Sequence, residues 1–172
     1  MRTRRATLPD ATQIQELIAM HAESGALLPR SLPEICENVR DFVVVENGDG
    51  HIIGCGALHL YGTHLAEVRS IAVRAEARGQ GAGAKVVKGL LTEAHRHHVA
   101  GVCLFTRIPD YFAKLGFVAV PLADLPDKIY KDCLKCPKLN ACDEVAMVKG
   151  EVPKMTILQQ ARLFARPILA ER

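Results

Sequence analysis

Apolar positions along this chain change their period several times, and each change marks an element. Ile14, Leu17, Ile18 and His21 recur at i, i+3, i+4 and i+7, the single stripe of a helix that packs on a sheet. Residues 3–7 read as a short strand ahead of it, Leu8-Pro9-Asp10 as a turn that places Asp10 to cap the helix, and Gly25 as its end. Ser31, with Pro33 in the first turn and Glu34 three residues on, predicts a second, shorter helix to about Asn38. Residues 42–46 and 52–61 are apolar and β-branched, joined by Asn47-Gly48-Asp49-Gly50 as a hairpin. A third strand over 65–73 follows a turn at Gly62 and extends the meander. From Gly81 the period becomes 3.6, with Val87, Leu90, Leu91 and Ala94 on one face and Lys85, Lys88, Glu93 and Arg96 on the other. The remaining pattern predicts a strand over 102–106, a short helix over 109–115 closed by Gly116, and strands over 117–120 and 145–149. Residues 121–143 read as a polar, lysine-rich loop segment that carries cysteines. Ile157, Ala161, Phe164 and Ile168 return at helical spacing, bent at Pro167.

This order of elements predicts one α/β (α+β) domain over 1–150, with a C-terminal helical extension over 151–172. A length of 172 residues, 49% hydrophobic and 24% charged, suits a soluble domain whose single core needs no disulfide or metal to fold. Twenty-two basic against nineteen acidic residues, a formal +3, is too weak a bias for a nucleic-acid footprint. No apolar run approaches the roughly 20 residues of a membrane span, and Met1 to Arg5 lack the apolar stretch of a secretory signal. The expectation is a cytoplasmic protein with neither a nucleic-acid nor a membrane partner. In that reducing setting Cys36, Cys55, Cys103, Cys133, Cys136 and Cys142 are thiols or metal ligands. Cys133 and Cys136 have the two-residue spacing used by zinc sites, and Cys142 adds a third sulfur without a fourth ligand. A structural zinc, a thiol pair and packed cysteines all stay open. His95, His97 and His98 complement the negative end of the helix before them.

The segment from Ile71 to Gly83 carries the most chemistry, because a strand there runs into glycines that open a helix. Glycines let main-chain N–H groups approach a phosphate, and the helix dipole favours the anion. A dinucleotide fold would need βαβ units, and a P-loop would need Gly-Lys-Ser/Thr; neither pattern is present. Arg78-Gly79-Gln80-Gly81-Ala82-Gly83 instead resembles the acetyl-CoA signature of the GCN5-related N-acetyltransferases, the GNAT superfamily. The resemblance extends to Arg5-Ala-Thr-Leu-Pro-Asp10, to the strand from Ala66 to Val73, and to Tyr111-Phe-Ala-Lys-Leu-Gly116-Phe117. It implies an acetyl-CoA donor and a splayed, mostly antiparallel sheet. Ile71, Ala72 and Val73 would then hold the pantetheine arm through main-chain groups, and residues 78–83 the pyrophosphate.

More narrowly, Leu27-Leu28-Pro29-Arg30-Ser31, Gly54-Cys-Gly-Ala-Leu58 and Leu125-Pro-Asp-Lys128 look like the acetyltransferase domain of bacterial N-acetylglutamate synthases. The chain is similar to the short versions that lack an amino-acid-kinase domain. The resemblance implies Glu67 as general base toward an α-amine, and strand alternation puts Arg69 on its face. Arg30 and Arg69 suit the carboxylates of an amino-acid substrate, since guanidinium matches carboxylate bidentately, and Leu28 and His59 complete the acceptor set. His59 stands where long synthases tend to have lysine, which opens glutamine beside glutamate as acceptor. The tyrosine expected four residues before Gly116 is Phe112, so Tyr111 and Thr106 are the acid candidates. The expected activity is acetyl-CoA-dependent N-acetylation of glutamate or glutamine, with a small-molecule acceptor and a homodimer among the expected partners. The rivals are a GNAT enzyme for a protein lysine, a polyamine or an aminoglycoside, and a non-catalytic acyl-CoA-binding module.

Overall fold

The structure, a computed structural model, describes residues 1–136 and 141–152. Its strands are β1 (Arg2–Arg5), β2 (Phe42–Glu46), β3 (Ile52–Leu60), β4 (Leu65–Val73), β5 (Gly101–Thr106), β6 (Val118–Ala119) and β7 (Val145–Gly150). They form one sheet in the order β1-β2-β3-β4-β5-β7-β6. All neighbours are antiparallel except β4 and β5, which pair in parallel only from Leu65 opposite Gly101 to Glu67 opposite Cys103. The helices are α1 (Ala11–Glu23), α2 (Leu32–Glu37), α3 (Ala82–Arg96), α4 (Pro109–Ala113) and α5 (Pro126–Lys131), with short 3-10 turns between. This is the α/β domain that the order of elements predicts, with the mixed, mostly antiparallel sheet that the family resemblance implies.

The two faces of the sheet bury different helices. Val86, Val87, Leu90 and Ala94 of α3 and Phe112 of α4 pack with Val43, Val45, Leu58, Val68, Val102 and Leu104. On the opposite face Ile14, Leu17 and Ile18 of α1 and Ile35 of α2 pack with Phe42, Val44, Cys55, Ala57 and Ala72. A second apolar patch on that face joins Leu65, Cys103, Ala146 and Val148 to Leu125, which leads into α5. Between the patches the register sets Ala57 opposite Arg69, His59 opposite Glu67 and Glu67 opposite Cys103. A polar strip therefore crosses an otherwise apolar face, and a strip of this kind is kept only where its groups find partners or a use.

Some expectations change. Asp10 precedes α1 without capping it: its carboxylate accepts from Thr7 N at 2.7 Å and from the Arg4 guanidinium at 2.7 and 2.9 Å, closing the turn before the helix. The 121–143 segment is not all loop, since Pro126 at the first helical position starts α5. The 109–115 helix stops at Ala113, and the 117–120 strand shortens to Val118–Ala119, paired with β7. The expected tail helix, including Ile157, Ala161, Phe164 and Ile168, lies outside the described residues. No helix of the described residues is long and apolar enough to cross a membrane.

Candidate active site

Where β4 and β5 part, the sheet opens, and two sets of groups meet from opposite faces. On the α3 side the loop after β4 turns at Gly79 and Gly81, whose φ angles of +75° and +84° lie in the left-handed region that favours glycine. The first bond of the α3 ladder runs from Lys85 N to Gly81 O. The N–H groups of Ala82, Gly83 and Ala84 thus precede the ladder and, with the helix dipole, form an anion seat. Gly83 is small for another reason: a Cβ there would stand 2.7 Å from the Tyr111 hydroxyl. Arg78 and Gln80 are exposed beside this seat, with Gln80 Nε2 donating to Glu76 O.

The β4 main chain continues the seat toward the parting. Arg74 N donates to Ile53 O of β3, so alternation turns the N–H groups of Val73 and Ile71 the other way, toward the side that β5 has left. Ala72 is buried against α1 and turns its N–H toward β3. Upstream, Ser70 and Ile71 are set against the single residue Gly56, a bulge marked by the positive φ of Ser70, +55°. Bulges re-aim side chains next to active sites, and here Ser70 Oγ accepts from Arg30 Nε at 2.9 Å.

On the α1, α2 and α5 side stands Glu67, 3% exposed. Its carboxylate accepts from the Tyr61 hydroxyl at 2.7 Å and from Lys128 Nζ at 2.8 Å. Burial, then the Glu67 charge, pushes the Tyr61 phenol far above its ordinary range, so it remains a donor. Lys128 Nζ also donates to Asp132 Oδ2 at 3.0 Å. Burial works against the Lys128 charge, but Glu67 and Asp132 outweigh it and hold the ammonium above its usual range. Arg69 lies 3.7 Å from Asp132 through Nη1, while its buried Nε has no hydrogen-bond partner among the described residues. Arg30 Nη1 donates to Glu34 at 2.7 Å, and burial followed by the nearby Arg69 charge pulls Arg30 below its ordinary range.

His59 sits edge-on to Tyr61, with ring centroids 5.0 Å apart, and its Nε2 accepts from Lys131 Nζ at 2.6 Å. Burial, with Arg69 and Lys131 beside it, brings His59 down to about 4, leaving a neutral ring at pH 7. Leu28 is 69% exposed in the loop between α1 and α2. Thr106 is buried at the end of β5 and accepts from Ile108 N at 3.0 Å. Tyr111, kept protonated by burial, lies on the α3 face by the anion seat. The structure thus gathers Glu67, Arg69, Arg30 and His59 on one side, and Tyr111 with Ile71, Val73 and the start of α3 on the other.

Tyr61 and Asp132 belong to the cluster around Glu67, although the apolar pattern does not single them out. The signal for Tyr61 was strand alternation, since 57, 59 and 61 share a face. Asp132 depends on α5, which the pattern did not disclose. Among the described residues no three His, Cys, Asp or Glu side chains converge as a metal site, Cys133, Cys136 and Cys142 included. Cys55 and Cys103 are fully buried core residues.

Comparison with known proteins bears on this geometry. The sequence model of the Acetyltransferase (GNAT) domain matches residues 38–119. An uncharacterized N-acetyltransferase of Chlorobaculum tepidum is 38% identical over 146 residues, 85% of this chain and 94% of that protein. An amino-acid acetyltransferase of Mycobacterium tuberculosis is 34% identical over 153 residues, 87% of each. Among solved structures, a Mycobacterium tuberculosis protein in complex with CoA and NLQ superposes with a TM-score of 0.76 at 28% identity, covering 88% of this chain and 99% of that one.

Proposed function

Since the chain belongs to the GNAT acetyltransferase family and is related to amino-acid acetyltransferases, we propose that it transfers the acetyl group of acetyl-CoA to the α-amine of L-glutamate or L-glutamine. The observation that carries this reading is the buried Glu67, set at the last β4–β5 pair beside an Arg69 whose buried Nε has no partner among the described residues. A carboxylate base and a guanidinium with bonding capacity to spare are what an α-amino acid needs: one takes the ammonium proton, the other holds the carboxylate.

Acetyl-CoA enters from the α3 face, its pyrophosphate on the N–H groups of 82–84 and its pantetheine arm along Ile71 and Val73. The acceptor enters from the opposite face, carboxylates toward Arg69 and Arg30. Glu67 takes a proton from the ammonium, and the freed amine attacks the thioester carbonyl. The departing thiolate takes a proton from Tyr111, which stands on the face from which CoA leaves. His59, neutral, offers a hydrogen bond to the end of the substrate side chain. The cations Arg30, Arg69, Lys128 and Lys131 oppose a polyamine, an aminoglycoside or a lysine-rich protein acceptor by like-charge repulsion.

A thiol-release assay over the twenty amino acids tests the reading. Turnover is expected with glutamate or glutamine, with Arg30→Ala raising the acceptor KM by about tenfold or more, the loss of a charge-assisted pair. Equal, background rates with every amino acid would refute it. Arginine biosynthesis is the setting that this reading implies, and a strong preference for glutamate in the same assay would support it.

A further inference from the structure

Lys128 occupies an unusual place for a residue of a short helix. Its Nζ lies 2.8 Å from the Glu67 carboxylate and 5.2 Å from the centre of the Phe105 ring. Glu67 and Cys103 form the last β4–β5 pair, and Phe105 lies two residues beyond Cys103. The ammonium therefore spans the two strands where they begin to part, on the acceptor face. An acceptor ammonium has to sit within hydrogen-bond reach of Glu67 to lose its proton to it, and Lys128 already stands there. The side chain is only 16% exposed, and α5 is pinned over the strip by His64 Nε2 against Asp127, 3.1 Å from Oδ2. Lys131, the other α5 lysine facing the strip, is bonded to His59 instead.

We propose that Lys128 is itself an acetylation site: with no amino acid bound, the enzyme acetylates the Nζ of its own Lys128. The inference rests on the reading of Glu67 as base. Glu67 takes one proton from the Lys128 ammonium, and the nitrogen lone pair forms a C–N bond to the thioester carbonyl carbon. The C–S bond breaks, the sulfur leaves as thiolate, and it takes up the second proton shed by the nitrogen. The products are an acetamide on Lys128, free CoA thiol and one proton, released from Glu67 to solvent. The modified side chain has lost its charge and no longer pairs with Glu67 or Asp132. An incoming amino acid protects Lys128, because its ammonium competes for the same carboxylate.

The test is peptide mass spectrometry of the full chain incubated with acetyl-CoA, with and without glutamate or glutamine, together with thiol release on the same samples. Lys128 is expected to be acetylated about 100-fold or more faster than Lys85 and Lys88, the scale of general-base assistance. The first-order rate should be unchanged when the protein is diluted, and slowed by whichever amino acid turns over. Glu67→Gln should bring Lys128 to the rate of the reference lysines, while calorimetry still finds acetyl-CoA binding. Acetylation at the reference rate, an undiminished rate in Glu67→Gln, or no protection by the turned-over amino acid would each overturn the inference. Amino-acid turnover without Lys128 acetylation overturns this inference and leaves the proposed function standing; Lys128 acetylation with no amino acid turned over does the reverse.

Discussion

Gly56 on β3 tests how tightly the donor helix is fitted to the sheet. A Cβ at this position would stand 2.8 Å from Val86 Cγ1 and 2.9 Å from Leu90 Cδ1, inside the ~3.5–4.0 Å of ordinary carbon contact. Both side chains are fully buried, and α3 is already seated on β2 where a Cβ on Gly89 would meet Val43 Cγ1 at 2.7 Å. The helix therefore has little room to tilt. Gly56→Ala should cost about 1–3 kcal/mol through overpacking, offset by the ~0.5–1 kcal/mol that alanine gains over glycine in a strand. A net loss of about 1–2 kcal/mol corresponds to a Tm lower by about 2–8 °C in a chain of this size. Gly48→Ala, where no atom lies within 4 Å, is the control and should be neutral or slightly stabilising. Val86→Ala removes the methyl that the new Cβ meets. It loses about 1–2 kcal/mol alone, at ~0.8 kcal/mol per buried carbon, and the double variant should cost less than the sum by about 1 kcal/mol. Urea denaturation of the four variants measures the cycle. Costs that add within ~0.3 kcal/mol, or a Gly56→Ala protein as stable as the parent, would refute the packing argument. Because the first turn of α3 is the anion seat, Gly56→Ala should also raise the acetyl-CoA KM more than the acceptor KM.

The Arg4 hydrogen bond, against burial and helped by Thr7, holds Asp10 down to about 2 from 3.8. A depressed carboxylate stabilises above its unfolded pKa and loses that contribution as pH falls through the folded value. Asp10→Asn should therefore be less stable by roughly 1–2 kcal/mol at pH 7, with the gap closing between pH 4 and 2; a gap constant with pH in urea midpoints would contradict this. Tyr111→Phe should lower kcat by about tenfold or more while leaving the acceptor KM unchanged; a rise in both KM values with kcat intact would assign the hydroxyl to packing. His64→Ala should speed amide hydrogen exchange across α5, since it removes the contact to Asp127, and unchanged protection there would show that Leu125 and the lysine contacts to Glu67 and His59 hold the helix without it.

How far the sequence revealed the site depended on range. The α3 stripe, the hairpin at Asn47–Gly50 and the glycine loop were legible because each is a local pattern with one physical solution. Alternation alone put Glu67 and Arg69 on one face, and the pairing of Arg69 with Ala57 and Glu67 with His59 agrees. Asp10 was misread because its partner Arg4 lies on the preceding strand, and a carboxylate takes a guanidinium in preference to a single N–H. α5 was hidden for a different reason: its six residues are too few to show a helical period, and its only strong signal, Pro126 after Leu125, also fits a loop. With α5 went the ion pair of Lys128 with Glu67, a contact across 61 residues of sequence.

The proposed donor slot and acceptor site trace to two neighbouring irregularities in the sheet. β4 keeps β5 as a parallel partner only as far as Glu67, and three residues later the bulge at Ser70 and Ile71 shifts its register against β3. Had the parallel pairing continued, β5 would occupy the side of β4 toward which the Ile71 and Val73 N–H groups point, and nothing could thread between the strands. Had the bulge been absent, Ser70 would not meet Arg30, whose Nε it now receives at 2.9 Å. Glu67 sits at the boundary: still paired, and so rigid, yet next to the opening. A base placed one pair earlier would be enclosed by strands on both sides, and one placed later would lose the support of β5. The position of the carboxylate along β4 is thus set by where the sheet stops being continuous, which is why changes that move α3 are expected to reach it without touching it, while changes that move α5 reach it through Lys128.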